Sequence, residues 1–204
     1  MAIITPSRQR ERRETSTRAL LQAASELVLE GGYSAMTFAA IGERAGYSRA
    51  MVTARFGSKQ GLVEAMLDRI VGTWRDRELD DPLDHTGFEV VTLLADALRR
   101  QAEADARSMR VLYALMFEAA TGDELLRDHF RAFHAAMRES MSSAIARGQQ
   151  DGSVDPALDP TAEGAFVVSA VRGIGYQWLL DPDGFDAPAA FEHLHHLFID
   201  RFRA

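Results

Sequence analysis

The sequence predicts an all-α protein of about nine helices. Apolar residues recur at the three- and four-residue spacing of amphipathic helices through most of the chain, and no segment shows a convincing alternation of apolar and polar residues. Glycine, proline and short polar runs interrupt this pattern where helices would end. With 204 residues, 47% of them hydrophobic, the chain can bury one sizeable core, or a small domain beside a larger one.

Composition excludes several classes of protein. Cysteine is absent, which rules out disulfides, thiol catalysis and a cysteine-type zinc site. No apolar run approaches the ~18 residues that span a bilayer. The N-terminus is a short apolar segment followed by arginines, and it lacks the apolar core of a signal peptide. We therefore expect a cytoplasmic protein.

Charge is distributed unevenly along the chain. The formal net charge is -7, yet residues 1–60 hold nine basic and five acidic side chains, a net charge of +4. The remainder holds 14 basic and 25 acidic side chains, a net charge of -11. This segregation indicates that only the N-terminal quarter meets a polyanion.

The chain opens with a basic segment, residues 1–14, that we expect to be a mobile arm. Its arginines are Arg8, Arg10, Arg12 and Arg13. Such an arm can follow a phosphate backbone or enter a minor groove, and it can equally be a solubilising tail. The first helix is expected from about Thr17 to Glu30, where Gly31-Gly32 ends its apolar stripe.

Residues 37–56 predict two short helices joined by a tight corner. Thr37 is a good N-cap for the first of these helices, Gly46 is a C-terminal stop that can take a positive φ, and Ser48 caps the second. Ile41 in the first helix and Val52 in the second fall on the inner faces. A helix-turn-helix requires this combination of caps, corner and buried aliphatics.

The same residues carry a family resemblance. The run TFAAIGERAGYSRAMVTARFGSKQGL, residues 37–62, resembles the DNA-binding segment of the TetR family of bacterial transcriptional regulators. Two departures from the family pattern concern the DNA sequence that is read rather than the fold. The family usually has alanine in place of Gly42, and two aromatics and a histidine in place of Thr53, Ala54 and Arg55.

Six further helices are expected after Gly57. The fourth runs from Ser58 to about Arg77, long enough to link two domains. Beyond the polar break at residues 80–85, the apolar spacing predicts helices over about 86–104, 108–120, 123–151 and 160–180 and from about Pro188 onward. Nine helices match the family architecture. The family resemblance implies a helix-turn-helix domain over residues 1–57 and a helical bundle for ligand binding and dimerisation over residues 58–204.

The second helix of the corner supplies the candidate DNA contacts. Arginine can pair with guanine O6 and N7, which favours Arg49 and Arg55 as readers of bases. Lys59 and the capping hydroxyls suit phosphates, which position a protein without reading sequence. TetR-like proteins place DNA contacts at the positions that match Arg49, Met51, Thr53, Arg55 and Lys59. With the two capping hydroxyls, the predicted DNA-binding set is Thr37, Ser48, Arg49, Met51, Thr53, Arg55 and Lys59.

The C-terminal region is rich in flexible sulfur-containing and aromatic side chains, which line clefts for apolar or aromatic small molecules. The alternative is that these residues form ordinary core. The family resemblance implies a pocket among the fifth to eighth helices. The candidate ligand-binding residues are Tyr113, Met116, Phe117, Phe133, Met137, Phe166 and Trp178.

The eighth helix is unusually rich in small residues, which permit close helix approach. These residues are Gly164, Ala165, Ser169, Ala170, Gly173 and Gly175. With the ninth helix it would form the two-fold four-helix interface of TetR-like dimers. Such a homodimer sets two recognition helices about one DNA turn, roughly 34–36 Å, apart and requires a palindromic operator.

No enzymatic site is predicted. His193 and His196 share a helical face, but no carboxylate or cysteine completes a metal site, so a polar helix surface or interface is favoured. We predict no catalytic residues, cofactor or metal. The alternative of a helical enzyme or metal-binding bundle would require bound metal or turnover.

The overall prediction is a sequence-specific DNA-binding regulator, a dimeric repressor released by a small apolar or aromatic ligand. A DNA-binding activator would share the same site. A small-molecule receptor that has lost DNA binding is a further alternative, because Thr53-Ala54-Arg55 replaces the usual aromatics.

Overall fold

A computed structural model of the chain describes residues 6–78, 85–122 and 124–204, with the side chains of 6–9, 71–78 and 125 left out. Within these ranges the chain forms nine α-helices, which confirms the predicted fold class. The helices are α1 (Pro6–Ala35), α2 (Phe38–Ala45), α3 (Arg49–Phe56), α4 (Lys59–Glu78), α5 (Gly87–Ala104), α6 (Ala106–Thr121), α7 (Glu124–Asp151), α8 (Pro160–Leu180) and α9 (Ala187–Phe202).

The chain divides into two compact units, Met1–Ile70 and Val71–Ala204. The first part of α4 belongs to the N-terminal unit, where Leu62 and Met66 are almost fully buried. The compact unit thus extends beyond residue 57. The division into a DNA-binding domain over 1–57 and a ligand-binding domain over 58–204 stays a prediction about function.

The expectation of a mobile arm over residues 1–14 is wrong for residues 6–14, because α1 begins at Pro6. Proline suits the first turn of a helix, since its missing N–H has no partner there in any case. Two local contacts then favour helix. Arg10 Nε donates to Glu14 at 2.8 Å, one turn along, and the Thr17 hydroxyl donates to the Arg13 carbonyl at 2.8 Å. Residues 1–5 lie outside the described part.

The predicted end of the first helix appears as an interruption at Gly31 and Gly32. Gly32 has φ 72°, a conformation that disfavours other residues, and helical structure then resumes as far as Ala35. A salt bridge of 2.7 Å between Arg44 on α2 and Glu30 links the two helices near this point.

The core of the N-terminal unit joins all four of its helices. Residues from α1, α2, α3 and α4 are completely buried in it. Leu20, Ala24, Met36, Ile41, Val52 and Leu62 form this centre. Burying each large aliphatic side chain contributes ~1.5–3 kcal/mol, so α2 and α3 are held by packing rather than by their own length.

The core of the C-terminal unit lies where α5 meets α7 and α9, and α7 meets α8. Two glycines permit close helix crossings. A Cβ at Gly87 would stand 2.1 Å from the Ala144 carbonyl oxygen, and one at Gly164 would stand 2.8 Å from the Ser142 nitrogen. Gly164 therefore serves α7–α8 packing within one protomer.

The loop between α7 and α8 is fastened to the end of the chain. Val154 and Arg203 form an isolated antiparallel bridge. The Gln149 amide donates to the carbonyls of Asp155 and Leu158 at 3.1 and 2.8 Å. Asp159 then caps α8 by accepting from the Thr161 nitrogen at 2.9 Å.

Candidate functional site

The corner between α2 and α3 has the geometry that its sequence predicts. The Thr37 hydroxyl accepts from the Ala40 nitrogen and the Ser48 hydroxyl from the Met51 nitrogen, each at 3.2 Å. Gly46 ends α2 with φ 74° in the left-handed region. Both helix starts are therefore fixed by side chains next to the corner.

Gly42 lets α3 approach α2 closely. A Cβ at Gly42 would stand 2.7 Å from the Tyr47 carbonyl oxygen and 3.2 Å from the Arg49 nitrogen. The alanine that is usual at this position in TetR-like proteins would force the corner to shift. The start of α3 accordingly lies closer to α2 than an alanine would allow.

The outer face of α3 carries Arg49 and Thr53 in exposed positions and Met51 in a half-buried one. The Thr53 hydroxyl donates to the Arg49 carbonyl at 3.1 Å. No ion pair or hydrogen bond of the Arg49 guanidinium occurs among the described residues. Arg49 is thus the arginine of α3 whose fork can turn toward an external partner.

Arg55 is engaged differently from the sequence prediction. Its guanidinium crosses to α1, where it donates to the Arg13 carbonyl at 2.8 Å, to the Ser16 hydroxyl at 3.2 Å and to the Thr17 hydroxyl. These bonds fasten α3 to α1. Contact between Arg55 and a base stays a prediction. Such a contact would require these hydrogen bonds to α1 to break.

Lys59 is also held by the protein. Its Nζ donates to the Tyr33 carbonyl at 2.7 Å and stands 3.6 Å from the centre of the Tyr33 ring. A surface groove of about 380 Å³ brings Lys59 together with Thr37 and Arg49. Three of the seven predicted DNA-binding residues therefore share one groove.

A second groove, of about 470 Å³, lies between α1 and α4 and is strongly basic. The residues lining it are Arg10, Arg13, Glu14, Thr17, Arg18 and Arg69. Sequence reasoning missed Arg69, because its position on the fourth helix gives no sign that it faces the arginines of the first. This groove suits a phosphate backbone, since each basic side chain that neutralises a phosphate adds to the affinity.

The predicted ligand-binding residues separate into distinct surroundings. Tyr113, Phe133 and Met137 contact Arg172. Tyr113 and Trp178 also belong to the hydrophobic core, and Met116 and Met137 pack against that core. Two others are exposed: Phe117, whose ring is tilted against that of Tyr176 with the ring centres 4.8 Å apart, and Phe166.

Two polar residues of this region, Arg172 and His134, were missed from the sequence. The signal for Arg172 was present, since it is the only charged residue between Glu163 and Asp181 in a helix of apolar and small residues. Tyr113 is buried beside it and donates from its hydroxyl to the Val171 carbonyl at 3.0 Å. The ring of Tyr113 packs directly against Gly175.

His134 should make stability depend on pH. Burial, followed by the positive charges of Arg172 and Arg138, lowers the pKa of His134 from 6.5 to about 4. The unfolded chain therefore binds the proton first as the pH falls, and the folded state loses stability between pH 6.5 and about 4. The free energy of unfolding in urea should fall more steeply from pH ~7 to ~5 in the wild type than in His134→Phe. His193→Phe, a change on the exposed face of α9, is the control; identical pH slopes for wild type and His134→Phe would contradict the assignment.

Comparison with known proteins decides the family. The model for bacterial regulatory proteins of the tetR family matches residues 20–66, and the model for the C-terminal domain of BetI-type transcriptional repressors matches residues 89–203. The chain belongs to the TetR family. Members of this family are DNA-binding transcription factors and not enzymes, which confirms the prediction of a DNA-binding regulator.

Three relatives illustrate the likeness. The HTH-type transcriptional regulator TtgR of Pseudomonas putida is 27% identical over 189 residues, covering 88% of this chain and 87% of TtgR. The crystal structure of NalD, the secondary repressor of the MexAB-OprM multidrug efflux pump in Pseudomonas aeruginosa, has a TM-score of 0.72 and 25% identity over 95% of this chain and 98% of NalD. The SmeT–triclosan complex, with a TM-score of 0.76 and 19% identity over 93% and 92% of the two chains, shows the same fold.

Family membership also fixes the general class of partner. TetR-family proteins bind DNA operators and small ligands, typically as dimers. None of the described helices is long and apolar enough to cross a membrane. The described residues also bring together no group of three or more side chains able to hold a metal ion.

Proposed function

We propose that this protein is a cytoplasmic repressor that binds a palindromic operator as a homodimer and is released by a small apolar or aromatic ligand. The observation that carries the proposal is the exposed Arg49 at the start of the capped helix α3. In a helix-turn-helix, the N-terminal residues of the second helix contact base edges in the major groove.

The residues of the corner divide into two roles in this proposal. Arg49, Met51 and Thr53 read bases, with Arg49 placed to pair with a guanine. Thr37, Ser48 and Lys59 contact phosphates beside the shared groove. Arg55 holds α3 against α1 through its hydrogen bonds and so fixes the position of the residues that read bases.

We propose the outer face of α8 as the main dimer surface. The exposed residues of this face recur every three or four positions and carry no charge. They are Ala162, Phe166, Ser169, Gly173, Tyr176 and Leu180. Phe166, Tyr176 and Leu180 are 47%, 43% and 66% exposed, an apolar stripe that association would bury. Leu197 on α9, the second helix of the proposed interface, is 48% exposed.

Ligand control follows from a shift between two states of the dimer. One state spaces the recognition helices for the operator, and the ligand favours another spacing through its contacts in the C-terminal unit, transmitted through α4. To weaken operator binding ten-fold, the ligand need discriminate the two states by only ~1.4 kcal/mol.

The experiment that tests the function is selection of bound fragments from random double-stranded DNA at near-physiological salt. We expect enrichment of one two-fold symmetric motif whose half-sites lie about one helical turn apart. A sequence-independent pool, or no retained DNA, would contradict sequence-specific repression. The absence of retained DNA would favour a receptor that no longer binds DNA.

A charge placed on the α8 face should separate the dimer. In the Tyr176→Glu/Leu180→Glu double variant, association would bury unpaired carboxylates, so the dimer dissociation constant should rise ~100-fold or more. Sedimentation equilibrium measures it directly. Ala132→Glu, which adds a carboxylate to the solvent face of α7, should leave association unchanged. A double variant that stays as dimeric as the wild type would exclude this face.

A further inference from the structure

Among the residues that the structure describes, three buried nitrogen atoms of the C-terminal unit lack a hydrogen-bond partner. They are Nε of Arg110 on α6, Nε2 of His134 on α7 and Nε of Arg172 on α8. Buried polar groups without partners are rare in native proteins because each gives up its hydration without compensation. Three of them, on three helices packed around one another, indicate a site completed by something outside the chain.

Arg172 is the most informative of the three. Its Nη1 donates a long hydrogen bond of 3.5 Å to the Tyr113 hydroxyl, and its Nη2 donates to the Met137 sulfur at 2.7 Å. Its guanidinium carbon lies 5.6 Å from the ring centres of both Tyr113 and Phe133. No carboxylate forms an ion pair with Arg172 in the part of the chain that the structure describes. This guanidinium is partly buried among aromatic and sulfur-containing side chains and has no counter-ion among the described residues. Its planar fork is suited to a carboxylate.

His134 adds a second polar requirement. Its ring centre lies 5.7 Å from that of Phe133, so Phe133 contacts both polar residues. The imidazole of His134 donates a hydrogen bond to the backbone carbonyl of Phe130. The lowered pKa of His134, about 4, keeps the imidazole neutral at pH 7. With the proton on the nitrogen facing the Phe130 carbonyl, Nε2 carries a lone pair that can accept a hydrogen bond.

The charges that shift the pKa of His134 are positive. Arg172 and Arg138 both lower the pKa of His134, and Arg110 lies one turn from Tyr113 on α6. This local charge contrasts with the net acidity of the residues after position 60. The surroundings therefore disfavour a cationic ligand and favour an anionic one.

We propose that Arg172, His134 and the aromatic side chains around them bind a small aromatic carboxylate that also carries a hydroxyl group. The carboxylate pairs with the Arg172 fork, the aromatic ring packs against the half-buried Phe133, and the hydroxyl donates to His134 Nε2. This inference rests on the proposed ligand-released repressor and names the chemical class of its ligand.

Calorimetric titration of the full-length protein with matched probes tests the charge requirement. The three isomers of hydroxybenzoate are compared with the corresponding hydroxybenzyl alcohols, which are neutral, and hydroxybenzylamines, which are cationic. At least one hydroxybenzoate should bind ~10- to 100-fold more tightly than its alcohol, since hydrogen bonds to charged groups are the strong ones, and the amine should bind most weakly. The proposal would be overturned if no hydroxybenzoate bound saturably. It would also be overturned if each acid and its alcohol bound with equal affinity.

Two variants assign the contacts. Arg172→Met should abolish the preference for the acid over the alcohol, and His134→Phe should abolish the preference for hydroxybenzoate over benzoate while keeping that for acid over alcohol. Arg131→Met, which removes an exposed arginine paired with Asp128, is the matched control and should change neither preference. Circular dichroism establishes whether each variant is folded. If a variant fails to fold, the comparison of acid with alcohol in the wild-type protein still tests the proposal. Retention of the acid preference in a folded Arg172→Met protein would also overturn the proposal.

Failure of the proposed ligand class is distinguishable from failure of the repressor function. Selection of operator DNA does not involve the hydroxybenzoates. If the protein selects a symmetric operator but binds none of these acids, only the ligand class is wrong. If it selects no operator, the repressor function fails whatever the probes do.

Discussion

Replacing Arg49 with alanine should cost the protein its base preference at one position of each half-site. A bidentate arginine–guanine pair provides ~1–3 kcal/mol of discrimination, so affinity for the selected operator should fall ~5- to 150-fold, with little change for random DNA. The physical reason is the exposure of Arg49 and the absence of a described protein partner for its guanidinium. Fluorescence anisotropy with operators substituted one base pair at a time measures the loss and its position.

Two further variants separate base reading from attraction to phosphate. Arg49→Lys keeps the charge and loses the fork, so it should retain affinity for random DNA and still lose the guanine preference. Arg18→Ala, in the basic groove of α1 and α4, should weaken binding to all DNA about equally and reduce the salt dependence. If Arg49→Ala weakened every sequence to the same extent, Arg49 would be a phosphate contact.

Gly175→Ala should destabilise the C-terminal unit strongly. A Cβ at this position would lie 1.7–2.2 Å from carbon atoms of the Tyr113 ring, which is only 1% exposed and bonded through its hydroxyl to Val171. The ring cannot move without breaking this bond or disturbing the core. The free energy of unfolding in urea should fall by ~1–3 kcal/mol, the usual cost of overpacking, despite the higher helix propensity of alanine.

Gly173→Ala is the matched control on the same helix. A Cβ at Gly173 would meet nothing within 4 Å in the protomer, so alanine should stabilise the protomer by up to ~1 kcal/mol through helix propensity. Unfolding followed at several protein concentrations separates this gain from any effect on association, because Gly173 lies on the proposed dimer face. Equal losses for the two variants would show that contact with Tyr113 is not the cause.

Local chemistry made the corner predictable. Thr37, Gly46 and Ser48 act on backbone groups within three or four residues, so their roles can be inferred from sequence spacing. The same holds for most of the helices, whose boundaries the structure confirms to within about a turn, the two ends of α1 excepted.

Long-range contacts were not predictable in the same way. The three acceptors of Arg55 lie 38 to 42 positions earlier in the chain, in a segment that overlaps the predicted basic arm. Small residues on α8 suggested a dimer interface, yet Gly164 and Gly175 serve contacts with α7 and Tyr113 inside the protomer. Sequence shows that a residue is small or charged, and only the packing shows which neighbour requires it.

Hydroxyl-radical footprinting of the complex with the selected operator tests the central claim most directly. Two protomers that each place α3 in a major groove should protect two patches on one face of the duplex, about one helical turn apart and related by the symmetry of the motif. Arg49→Ala should lose this pattern at concentrations where the wild type shows it. A single protected patch, or uniform protection along the duplex, would contradict the dimeric helix-turn-helix account.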